Sequence, residues 1–79
     1  SAFPNPASDV IHVAINSSEE LNGSLAVVNM SGQIVHQEVL NVEGGNAQIA
    51  VSVQELPTGV YFIQVLSNEL QKTVKFVKQ

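Results

Sequence analysis

The sequence predicts an all-β domain folded as an antiparallel β-sandwich of six to seven short strands, and three features predict it. Apolar, largely β-branched stretches run for six to eight residues with period-2 alternation, as in residues 47–53. Clusters of Gly, Pro, Asn and Ser separate these stretches and supply turns. Nothing repeats at 3.6 residues over ten positions, so no helix is expected. Many short strands with polar turns bury their apolar faces most simply as two packed sheets.

Taken in order, residues 1–8 are expected to form a turn-rich opening. Pro4 and Pro6 fix their own φ angles and push Phe3 and Asn5 toward extended conformations, which lets Phe3 lay its ring on the core. In the strand 10–15, Ile11, Val13 and Ile15 share one face, with His12 and Ala14 opposite. Residues 16–22 read as a polar turn, with at most one helical turn at Glu19-Glu20-Leu21. The next strand, 24–30, alternates Leu25, Val27 and Asn29 with Ala26, Val28 and Met30. Ser31-Gly32 then marks a tight hairpin turn in which Gly32 takes a positive φ, and residues 33–40 return.

Glu43-Gly44-Gly45-Asn46 reads as another hairpin turn, leading to Ile49, Val51 and Val53 on one face. Pro57 suits the second position of a type I turn over Leu56-Pro57-Thr58-Gly59, with Gly59 at its fourth. Tyr61, Ile63 and Val65 are assigned to the core because Gln64 marks the wetter face. A terminal hairpin closes the chain, with Val74 and Phe76 inward and Thr73, Lys75 and Val77 outward.

A chain of 79 residues favours one domain with a modest core. It has no cysteine, which excludes disulfides and Cys-ligated metal. The net charge is −4, and phosphate binding needs clustered Lys or Arg, so nucleic acid is not an expected partner. Docking on anionic membranes is disfavoured for the same reason. No apolar run approaches the roughly 20 residues of a membrane helix, so direct membrane insertion is not expected. Charged residues are 13% and apolar residues 44%, so Asn, Ser, Gln and Thr must cover the surface. The first residue is Ser1, not Met, and no signal peptide is visible, which suggests a processed product or a piece of a longer protein. All three positive charges are lysines of the last strand: Lys72, Lys75 and Lys78.

Three blocks together carry a resemblance. Phe3-Pro4-Asn5-Pro6-Ala7 resembles an aromatic-Pro-Asn-Pro-Ala opening. Asn29-Met30-Ser31-Gly32-Gln33-Ile34-Val35 resembles an apolar strand, a Gly turn and its return. Leu56-Pro57-Thr58-Gly59-Val60-Tyr61, followed by Lys75-Phe76-Val77-Lys78, resembles a Leu-Pro-x-Gly-Val-Tyr block with a terminal Lys-apolar-Val-Lys. In that order and spacing the whole chain is similar to the type A C-terminal sorting domain of the type IX secretion system of Bacteroidetes. It departs from the family near the central turn, where Asn29 or Ser31 stands in place of the usual Asp.

The resemblance implies a small immunoglobulin-like sandwich at the C-terminus of a secreted protein. Its partners would be the outer-membrane translocon and shuttle components. A sortase-type cysteine protease would then remove the domain, often attaching the cargo to anionic lipopolysaccharide. The domain would be an address label and not an enzyme, with no cofactor. It would pass through the periplasm to the cell surface or the extracellular space. Recognition would rest on Lys75, Val77, Lys78 and Gln79.

Each singled-out residue also has a plainer structural explanation. Pro4, Asn5, Pro6, Gly32, Gly59, Tyr61 and Phe76 are mainly structural: turn formers, or aromatic anchors whose polar atoms seek backbone partners. The lysines would protect an edge strand from sheet-to-sheet association as well as marking it for recognition. Such an edge could also pair with a receptor strand or weakly with a second copy. His12 and His36 are two imidazoles without the further ligands a metal site wants, so they read as surface side chains. Asn16, Asn22 and Asn29 each open an N-glycosylation sequon that chance explains in so Asn- and Ser-rich a chain. The alternative function is an immunoglobulin-like spacer, or an adhesion or carbohydrate-binding module of a surface protein. One tyrosine and three phenylalanines leave little aromatic surface for stacking sugars. No constellation of nucleophile, base and orienting acid supports catalysis.

Overall fold

A computed structural model describes residues 2–3, 8–17, 20–68 and 71–79. Seven strands form: β1 (Ala2–Phe3), β2 (Val10–Ser17), β3 (Leu21–Asn29), β4 (Ile34–Val42), β5 (Gly45–Ser52), β6 (Gly59–Ser67) and β7 (Gln71–Lys78). They make two antiparallel sheets, one ordered β1-β2-β5 and the other β4-β3-β6-β7. Two hairpins, β3–β4 and β6–β7, build the larger sheet and pair with each other through β3 and β6. The connections β2–β3, β4–β5 and β5–β6 each cross between sheets. The segment at Glu43 and Gly44, expected as a hairpin turn, is therefore an arch from one sheet to the other. Turn residues signal a reversal, but they do not say whether the chain returns to the same sheet.

The expected alternation holds where strands face the opposite sheet. Ile11, Val13 and Ile15 of β2, Val51 of β5, and Tyr61, Ile63 and Val65 of β6 meet in one buried core. Leu25, Val27 and Phe76 close it from the larger sheet. In β3 the pattern departs from simple alternation. Residues Leu25, Ala26, Val27 and Val28 are all buried, because β3 is flanked by β4 and β6 whose side chains also cover its outer face.

That strand starts at Leu21 rather than Ser24, and Leu21 joins the core. Gly23 sits within it, opposite Leu40 of β4 and Ser67 of β6. A Cβ at Gly23 would collide with the main-chain oxygen of Leu66, so only glycine permits this approach of β6. Asn22 fastens the same corner. Its amide donates to Asn68 Oδ1 at 3.1 Å, and its carbonyl accepts from the Asn68 amide at 3.3 Å.

The β3–β4 hairpin turns through Met30, Ser31 and Gly32, one residue longer than the two-residue turn expected. Gly32 N–H donates to Asn29 O at 3.0 Å, and Asn29 N–H donates to Gln33 O at 2.9 Å. Gly32 has φ 87°, the positive value anticipated for it, which ends a three-residue loop of this type. The Asn29 side chain braces the loop: Oδ1 accepts from Ser31 N–H at 2.9 Å and Gln33 N–H at 3.0 Å. An aspartate carboxylate at this position would accept the same two bonds. Beyond the loop, the register shifts between Val27 and Val28 and leaves Val35 as the extra residue of a β-bulge.

Candidate recognition site on the terminal hairpin

β7 is an edge of the four-stranded sheet, paired along its length with β6. Three features hold this hairpin. First, the hydrogen-bonded turn before β6 spans Val53 to Leu56, where Leu56 N–H donates to Val53 O at 3.0 Å. It lies three residues ahead of the turn expected at Leu56-Pro57-Thr58-Gly59. Second, Tyr61 folds back on the segment it follows. Its ring is buried and its hydroxyl donates to Pro57 O at 2.6 Å, the backbone partner the sequence called for. Third, Gly59 has φ 157°, a conformation other residues adopt poorly, and so delivers Tyr61 into the core.

Phe76 is the anchor of β7. It is fully buried and stacks on Tyr61, its cross-strand partner, with ring centroids 5.6 Å apart and an interplanar angle of 22°. Burying such a ring stabilises by about 1.5–3 kcal/mol, and an aromatic pair adds about 0.5–1.5 kcal/mol. Strand alternation then places Lys72, Val74 and Lys78 on the inner face with Phe76, and Thr73, Lys75 and Val77 on the outer face. Val74 is half-buried, as an inward position at the sandwich margin should be.

The lysines therefore divide. Lys75 is exposed on the outer face, opposite Phe62 of β6. Val77 is 37% exposed on the same face, opposite Val60. Lys78, expected to be available at the surface, is only 6% exposed. Its stem runs along the inner face while its ammonium donates to the main-chain oxygen of Gln79 at 3.0 Å. Counting from Phe76 in steps of two already puts Lys78 on the inner side. Gln79 is exposed beyond the end of β7. Of the four residues assigned to recognition, the structure thus groups Lys75 and Val77 on one accessible face, with Gln79 nearby in sequence, and turns Lys78 away.

An apolar row that the sequence reading had not singled out continues this face. Ile34, Val28 and Phe62 are successive cross-strand neighbours ending at Lys75. Ile34 is 57% exposed and Met30, on the adjoining loop, 75%. The signal was present as apolar residues at outward positions, but only strand order reveals that they are contiguous. Pro4, Asn5 and Pro6 lie outside the described residues.

The histidines have ordinary partners. His12 stacks with Phe3 at 5.6 Å, on the outer face of the smaller sheet. Phe3 is 41% exposed, so it covers His12 rather than entering the core as expected. Ala2, its neighbour on β1, packs against the core instead. His36 Nε2 lies 2.8 Å from Glu38 Oε2 on β4. Among the described residues no three His, Cys, Asp or Glu side chains gather in a way that could hold a metal ion.

Seven antiparallel strands in two sheets, with an aromatic-anchored terminal hairpin, define a small immunoglobulin-like β-sandwich module. Residues 1–79 match the family model of the secretion system C-terminal sorting domain, and the chain belongs to this type IX secretion family. No curated protein and no solved structure matches the chain. The family makes the domain a C-terminal sorting signal that engages the type IX secretion machinery for export across the outer membrane. It is not a family of enzymes.

Proposed function

We propose that this domain is the address label of a longer secreted protein and that the machinery reads it from the outer face of β7. The observation that carries this reading is the division of the strand. Phe76 and Tyr61 fix β7 from within, while Lys75 and Val77 stand outside beside the row formed by Phe62, Val28 and Ile34. Lys75 supplies charge, and Ile34 with half-buried Phe62 supplies apolar area over the buried Val28, a combination that suits a protein receptor with an acidic rim. The cargo passes through the periplasm to the outer-membrane translocon and its shuttle components. A sortase-type cysteine protease at the surface then removes the domain and anchors the cargo. Lys78 acts in this scheme by holding the end of β7 in place.

The test is a reporter fused upstream of Ser1, expressed in a bacterium with a working type IX system. The double variant Lys75→Glu, Val77→Ser should leave the reporter in the periplasm while the domain melts within a few degrees of the parent. Normal export of that variant would refute recognition through this face. Truncation of residues 75–79 is a poorer test, since it also removes the buried Phe76 ring and damages the fold.

A further inference from the structure

β1 is short, and its register sets the line along which further pairing with β2 would run. Ala2 pairs with Val13 and Phe3 with His12, antiparallel. Residues Val10–Ser17 of β2 are paired along their whole length with β5 on the other side. On the β1 side, only His12 and Val13 are paired among the described residues. Strand geometry aims the N–H and C=O groups of alternate residues to opposite edges, so two of the residues 14–17 direct theirs toward this edge, where no described residue pairs with them. An open groove of about 560 Å³ lies here. Ala14, Ile15 and Asn16 of β2, with their β5 neighbours, form one wall, and Lys72 of β7 projects into it. β1 itself packs against β7, the strand whose Lys72 lines the groove.

We propose that the linker joining the cargo to this domain continues β1 backwards along β2 and fills this groove as a β-strand. This rests on the reading of the chain as the C-terminal part of a longer cargo. Antiparallel register brings the residue immediately upstream of Ser1 opposite Ile15, on the inner face and above Lys72. The second residue upstream comes opposite Asn16, on the outer face with Phe3. The first of these positions suits a small, apolar or acidic side chain, because it meets the core margin and one ammonium group. The second is solvent-facing and tolerates most residues. The pairing makes the domain grip its own linker, and any cleavage of the junction by a surface protease must then act outside the paired residues or peel them away.

The experiment uses the whole cargo chain. A cysteine at the second position upstream of Ser1, combined with Asn16→Cys, should close an intramolecular disulfide on mild oxidation, since directly opposed Cα atoms of an antiparallel pair lie about 4.5–5.5 Å apart. The same upstream cysteine with Gln48→Cys should not, because Gln48 lies one strand further away on β5. In parallel, the two amides among residues 14–17 that point to this edge should exchange at least tenfold faster when the two upstream residues are both replaced by proline, which cannot donate to β2, while the two amides bonded to β5 should not change. Exchange unchanged by the prolines, or equal disulfide yield at both sites, overturns the proposal. So does disulfide between two chains in place of the intramolecular one, which would assign the edge to a second copy. Neither measurement involves secretion, so failure here leaves the sorting function standing, and failure of export leaves the pairing standing.

Discussion

Replacing Tyr61 by phenylalanine isolates one oxygen atom. The ring stays buried and stacked on Phe76. What disappears is the 2.6 Å bond from the hydroxyl to Pro57 O. A net intramolecular hydrogen bond contributes about 0.5–1.5 kcal/mol, and Pro57 is exposed, so water can take over its carbonyl and no full desolvation penalty is left behind. We expect a loss of about 1 kcal/mol. In a domain of this size that lowers the Tm by about 4–8 °C, with the urea m-value unchanged. Tyr61→Ala removes the ring as well and should cost about 3–5 kcal/mol. That is a large part of the roughly 4–12 kcal/mol expected for a chain this long. Thermal and urea melts of the three proteins decide the matter. A Tyr61→Phe variant as stable as the parent would show that the Leu-Pro-x-Gly-Val-Tyr block is not held by its hydroxyl. A loss as large as that of Tyr61→Ala would place the importance of the bond far above this account.

Three further substitutions probe other joints. Gly23→Ala should destabilise by more than 2 kcal/mol, well beyond the roughly 1 kcal/mol typical of point mutants, because its Cβ meets backbone and not a movable side chain; a urea midpoint within error of the parent would contradict this. Asn29→Asp should be close to neutral while Asn29→Ala costs about 1–2 kcal/mol, as two loop amides lose their acceptor; equal melting of Ala and Asp variants would contradict the bracing role. Phe76→Ala should cost about 3–5 kcal/mol whereas Lys75→Ala stays within about 0.5 kcal/mol, and comparable losses in calorimetry would undo the division of β7 into anchor and surface.

The two terminal hairpin strands were legible because each carries a face of β-branched and aromatic residues that can only go inward. Tyr61 announced its need for a backbone partner through its chemistry. Other features depend on distant chain and left no local trace. Residues 16–22 are mostly polar and a glycine follows them, yet Leu21 and Gly23 belong to β3, because β4 and β6 supply the pairing that propensity alone withholds. The arch at Glu43-Gly44 looks like any hairpin turn until strand order is known. Phe3 misled for a related reason: proline spacing predicted its extended backbone, but register with His12 decided which face it occupies. Of the recognition face, Lys75 and Val77 were visible as outward residues of a terminal strand. The row Ile34, Val28 and Phe62 was not, since three separate strands contribute it.

Export itself tests the sorting role of the domain most directly. A reporter carrying this domain at its C-terminus should become accessible to added protease on intact cells of a type IX-competent bacterium. In an otherwise identical strain lacking the outer-membrane translocon it should stay protected inside. Equal surface exposure in both strains, or equal retention in both, would contradict the assignment of this sandwich as a sorting signal.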